Sequence, residues 1–192
     1  MLSTLRLTAS RIVRAALLLL LGAAAPAPLA AEDARDLFFE RFAGLCGSVY
    51  EGFSSFPTDP GDSFAGKHLV ATVSTCTGEE IRIPFAVGEN RSRTWILTRS
   101  EEGLLLQHDH RLDDGSPDEI TMYGGWAVDG GSVTSQSFAA DDHTAQLIPE
   151  AATNVWTLTL SEDSEKLTYS LERHSRPRFR ATLTRRAVAA GD

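Results

Sequence analysis

Two periodicities divide the chain. Over residues 33–45, Leu37, Phe38, Phe42 and Leu45 recur at helical spacing, and Asp33 and Asp36 suit the N-terminus of the short amphipathic helix this predicts. Beyond it the alternation of apolar and polar positions falls to two. Strands are predicted over 46–53, 68–76, 80–87, 91–99, 104–111, 119–127, 133–139, 154–160, 166–172 and 178–184. Turn residues such as Gly88-Glu89-Asn90, Asp113-Asp114-Gly115 and Asp129-Gly130-Gly131 separate them. Ten short strands in series, with no long crossover helix, predict an all-β antiparallel meander of about ten strands. Closing such a meander into a barrel removes its edges, and a two-sheet β-sandwich is the alternative. Two connections exceed what a hairpin needs. The stretch 57–66 is rich in Pro, Gly and Asp, and in 141–153 two acids, Asp141 and Asp142, can cap a helical turn running to Ile148. Each is read as a surface loop or as a lid over a barrel mouth.

The segment 91–112 carries the most chemistry. Its turn, Ser100-Glu101-Glu102-Gly103, fits a three-residue hairpin loop with Gly103 in the left-handed position. In that register Ile96 opposes His108 and Thr94 opposes His110. One face then carries Thr94, Ile96, Leu104, Leu106, His108 and His110. The other carries Arg91, Arg93, Trp95, Gln107, Asp109 and Arg111, which is too charged to be buried without partners. The histidines are therefore expected to point inward, with leucines at one end of the face and imidazoles at the other. A barrel lined this way predicts a small-molecule site formed by Thr94, Ile96, Leu104, Leu106, His108 and His110, with Tyr123 or Trp95 near it. Histidines at i and i+2 also lie on one side of a strand, about 6–7 Å apart, so His108 and His110 can share a metal with a third ligand from His143, Asp113 or Asp142. A purely structural role for both imidazoles is the third reading.

The N-terminus changes the setting. Arg6, Arg11 and Arg14 precede an apolar run over 15–25, and Leu29-Ala30-Ala31 stands before Glu32. This is the pattern of a secretory signal peptide, cleaved after Ala30 or Ala31, and its apolar run is shorter than the roughly 20 residues a bilayer span needs. Residues 1–31 are thus read as a leader and 32–192 as a single domain, periplasmic or secreted. Removing the leader takes away three basic residues and no acids, so the formal charge falls from −8 to −11. Nucleic acid and anionic lipid are poor partners for such a surface, and no later stretch reaches membrane-spanning length. In an oxidising compartment Cys46 and Cys76, the only cysteines, are expected to form a disulfide. No serine-hydrolase elbow, phosphate-binding loop, dinucleotide fingerprint or zinc-protease motif occurs.

Within 67–125 the segments GKHLV, RIPFAVGENRSRTW and LLLQHDHRLDDGSPDEITMYGG resemble a group of exported bacterial proteins without an assigned activity. The likeness continues through 138–142, 154–157 and 169–180, and it implies a periplasmic or secreted bacterial protein. A looser likeness is to lipocalin-like barrels, including the nitrobindin type, in Leu45-Cys46-Gly47-Ser48-Val49-Tyr50-Glu51-Gly52. Three functional classes follow. The first is a non-enzymatic exported barrel holding a small, partly apolar ligand. The second is a metal-dependent or hydrolytic enzyme using His108, His110 and an acid or His143, and the third is an interaction module of the cell envelope.

Overall fold

The computed structural model describes residues 33–56 and 62–187. The expected leader over 1–31 lies outside these residues, as does 57–61 of the proline-rich connection. The chain begins with helix α1 (Ala34–Ala43), followed by strands β1 (Val49–Phe56), β2 (Leu69–Thr72), β3 (Thr75–Cys76), β4 (Glu80–Val87), β5 (Asn90–Ser100), β6 (Gly103–His110), β7 (Tyr123–Ala127) and β8 (Ser135–Ala140). Helix α2 (Asp142–Leu147) and a 3₁₀ turn (Pro149–Ala151) lead to β9 (Asn154–Leu160), β10 (Lys166–Arg173) and β11 (Arg176–Arg185). Every neighbouring pair is antiparallel, in the order β2-β1-β11-β10-β9-β8-β7-β6-β5-β4-β3, and β2 also pairs with β4. Leu69 faces Gly52 on one side and Val87 on the other, which closes the sheet. Since β2 and β3 are two parts of one interrupted stave, the result is the closed ten-strand antiparallel barrel that the alternation predicts, not a sandwich.

Where strand ends differ from the pattern, a hydrogen bond explains it. The expected strand 68–76 breaks at Val73 and Ser74 because the Val73 amide donates to Ser48 O while the Ser74 amide donates to Arg82 O, handing the stave from β1 to β4. The expected strand 119–127 shortens to Tyr123–Ala127 because 111–122 folds back on β6: the Asp118 amide donates to His110 O and the Met122 amide to His108 O. Cys46 and Cys76 stand with Cα atoms 6.2 Å apart and their sulfurs within bonding distance, placed to form a disulfide that ties the helix–β1 junction to β3.

Because each strand reverses the last, the connections sort onto two ends. Helix α1 covers the end holding the β3–β4, β5–β6, β7–β8 and β9–β10 turns. It is capped by Asp33, whose side chain accepts from the Arg35 amide at 2.8 Å, and Phe38, Phe39 and Phe42 are fully buried. Arg41 donates to Ser161 O, Arg35 pairs with Asp129, and Arg99 bridges Glu40 and Gly78 O while lying over the Phe39 ring. The opposite end is formed by residues 62–68, the β4–β5 turn at 88–89, and the connections 111–122, 141–153 and 174–175. There Asp141 caps α2 as its sequence predicts, accepting from the Thr144 amide at 2.7 Å. Among the described residues no helix is long and apolar enough to cross a membrane.

Helix α2 is fastened to β7 by one buried hydroxyl. Thr144 Oγ1 accepts from the Gly124 amide at 2.7 Å and donates to Gly124 O at 2.8 Å. Strand β7 lies so close to its neighbours that a Cβ on Gly124 would overlap the Leu106 carbonyl, and one on Gly125 the Ala139 carbonyl. By contrast, a Cβ on Gly78 meets nothing within 4 Å. In chemical denaturation Gly124→Ala should therefore lose more than about 4 kcal/mol or fail to fold, whereas Gly78→Ala should stay within about 0.5 kcal/mol of the parent. Thr144→Val, which leaves the buried Gly124 amide without an acceptor, should lose roughly 1–3 kcal/mol.

Candidate functional site

The histidine strand points inward as expected, but its partner strand is turned over. Ser100 pairs with Gly103, leaving the two-residue turn Glu101-Glu102, and Gly103 takes φ +127° as the first residue of β6. Trp95 consequently opposes His108, Leu97 opposes Leu106, and Arg93 opposes His110. A slip of one residue exchanges the two faces of a strand. Thr94 and Ile96, expected in the ligand site, therefore lie on the outward face opposite Asp109 and Gln107, while Trp95 and Leu97 join the core. The outward acid expected to need partners has them: Asp109 is buried and accepts from Arg111 Nε at 2.9 Å and from Thr121 Oγ1 at 3.2 Å.

Following the inward rows shows a gradient along the barrel. Leu97, Leu104, Leu106, Leu158 and Leu160 fill the part nearest α1, all of them buried in the core. Leu104 and Leu106, expected as ligand contacts, are thus the packed floor. Above them lies an aromatic layer of Trp95, His108, Trp156 and Tyr169. The rows end at the mouth in Arg93, His110, Asn154 and Arg173, where β10 and β9 put Arg173 opposite Asn154.

His108 sits at the centre of the aromatic layer. Its Nδ1 faces Tyr123 O at 3.2 Å and its Nε2 faces Tyr169 Oη at 2.8 Å. A carbonyl oxygen only accepts, so the proton is on Nδ1 and Tyr169 donates to Nε2. The imidazole lies parallel to the Tyr123 ring, centroids 4.8 Å apart, with Trp156 at 5.1 Å. Burial pushes the His108 pKa down to about 3, against the opposing effect of the Tyr123 carbonyl. Burial also pushes Tyr123 up to about 12 and Tyr169 well above the usual phenol range. Nearer the mouth, His110 Nε2 meets Tyr123 Oη at 3.1 Å, and burial followed by the Arg93 charge lowers its pKa while Asp118 and Asp109 pull it back.

Immediately above this layer is a half-open pocket of about 270 Å³. Tyr123, Trp156, Tyr169 and Phe179 form its floor and walls, Phe64 and Ile148 come from the connections, and Asp62, Asn154, Arg173 and Arg178 supply the polar groups. Arg178 reaches it through a bulge: Leu171 faces Phe179 and Glu172 faces Pro177, so Arg178 is the unpaired extra residue. Of the residues expected at the ligand site only Tyr123 lines this pocket. His108 lies behind Tyr123 and Tyr169, and His110 lines a separate open cleft with Ser92, Arg93 and Asp118. The expected metal set does not assemble. His143 is exposed on α2, and among the described residues no three His, Cys, Asp or Glu side chains converge as a metal site. Trp156, Tyr169, Phe179, Asn154 and Arg173 are not among the residues expected at the site, because the charge contrast that marks the inward face of β5 and β6 is absent from β9 and β10. The signal that finds them is the alternation in β9 and β10, which puts Asn154 and Trp156 on one face with Leu158, and Tyr169 and Arg173 on one face with Leu167.

No protein-family model matches this chain, and neither a curated protein nor a solved structure matches it significantly.

The buried neutral histidine fixes the sign of one pH effect. The unfolded chain takes up a proton at His108 below the ordinary value of 6.5, whereas the folded one does so only near 3. This site therefore leaves stability untouched above pH 6.5 and lowers it progressively as the pH falls toward 3, and His110 acts in the same direction. Thermal midpoints measured across that window should fall less steeply for His108→Gln than for the parent, and equal slopes would contradict the assignment.

Proposed function

We propose that this protein is an exported, non-enzymatic barrel that holds a small, partly apolar molecule in the mouth pocket. The observation that carries the reading is the asymmetry of the ends. Three buried phenylalanines of α1 fill one end, while the other holds an aromatic-walled pocket of about 270 Å³ with fixed polar groups at its rim. Apolar walls with a few oriented polar groups are the usual make-up of a small-molecule site. Its walls are preformed: Tyr123 and Tyr169 are held from behind by His108, and Asn154 is buried and holds Arg173 Nε at 2.8 Å. A binding role also suits the state of His108, whose basic nitrogen is occupied by the Tyr169 hydroxyl. Export is supported by the leader pattern over 1–31, by the likeness to exported bacterial proteins, and by a cysteine pair placed to bond in an oxidising compartment.

Native mass spectrometry of protein recovered from its exporting host tests both parts. The expected chain begins at Ala31 or Glu32 and carries a reproducible mass excess. Replacing Ile148, half-buried at the pocket rim, with Trp should abolish the excess while leaving the fold intact. An excess unchanged in Ile148→Trp would overturn this location for the site.

A further inference from the structure

We infer that the ligand is a small aromatic or comparably flat apolar monocarboxylate, with its ring among Tyr123, Trp156, Tyr169 and Phe179 and its carboxylate on Arg173. This rests on the mouth pocket being a ligand site. Size sets the first limit. A cavity of about 150 Å³ is known to hold benzene, so about 270 Å³ accommodates one ring with a short substituent. The walls set the second. Trp95 and Tyr169 pack at 4.4 Å between centroids, His108 and Trp156 at 5.1 Å, and Tyr169 and Phe179 at 5.8 Å, so the rings forming the slot are braced by one another and present flat faces without rearrangement.

Charge then decides between two guests that aromatic walls suit equally. Rings alone attract an organic cation. Among the described residues the polar rim carries Arg173 and Arg178 against one acid, Asp62, whose Oδ1 is already engaged by the Phe64 amide at 2.8 Å. A third guanidinium, Arg93, stands 5.6 Å from the centre of the Phe64 ring that lines the same pocket. Two guanidiniums against one carboxylate give the described lining of the pocket a sign opposite to the chain's formal charge of −8, and this selects for an anion. Arg173 is built for the task. Asn154 Oδ1, itself buried, accepts from Nε at 2.8 Å, fixing the guanidinium plane and leaving both terminal nitrogens for the two oxygens of a carboxylate.

The test uses the purified protein and four probes, benzoate, phenylacetate and their neutral amides, with the indole N–H of Trp156 as the nuclear magnetic resonance reporter. Both carboxylates should bind at least about tenfold more tightly than the matching amides. Arg173→Gln should remove that preference while leaving amide affinity within about twofold, and the exposed Arg178→Gln should reduce it only in part. Equal affinity for acid and amide, or tighter binding of benzyltrimethylammonium, would overturn the ligand class and leave the pocket standing. If no probe shifts Trp156 up to about 10 mM, the pocket reading falls together with the class.

Discussion

Three phenylalanines on a ten-residue helix close one end of this barrel, and the rest of the interior is arranged around that seal. A closed sheet has two ends, and an apolar interior tolerates water at neither unless something polar lines the way in. With α1 filling one end, apolar side chains dominate the leucine layer, where Gln136 is a buried polar exception held by Ser132 O, and the charged inward side chains Arg93 and Arg173 lie at the other end. The ties through Arg35, Arg41 and Arg99 join α1 to the end of β5 and to three of the four connections at that end, β3–β4, β7–β8 and β9–β10. The gradient from leucine through aromatic rings to Arg93, Asn154 and Arg173 is thus the direction in which the interior opens.

The aromatic layer is where the two halves of the gradient meet, and His108 is the group that could least afford to be misplaced there. A buried imidazole is tolerated when neutral and when both nitrogens are satisfied, and Tyr123 O and Tyr169 Oη meet both conditions. The same bonds orient the two tyrosines whose outer faces line the pocket. In this arrangement a histidine that contacts no ligand still shapes the site, through the rings it holds.

Much of this was legible in the sequence. The helix, the count and direction of the strands and the Asp141 cap follow from periodicity and capping residues, the inward histidines from the charge on the opposite face of their strand, and closure from the removal of edges, which a sandwich could also have met in part. The turn at 101–102 was not: Ser100-Glu101-Glu102-Gly103 accommodates either a two- or a three-residue loop, and the choice moves Thr94 and Ile96 outward and brings Trp95 and Leu97 in. The pocket was only partly legible, because its residues come from four strands and two connections whose depths are set by register. Arg178 in particular faces the pocket through a bulge that no alternation pattern announces.

The central claim is that the barrel is sealed at α1 and receives a ligand at the opposite mouth. A crystal structure of the protein recovered from its exporting host tests it most directly. The account predicts electron density for a flat organic molecule against Trp156 and Tyr169, with its polar end within hydrogen-bond distance of Arg173. A ligand bound instead beneath α1 or on the outer face, or a mouth filled by its own side chains, would contradict it.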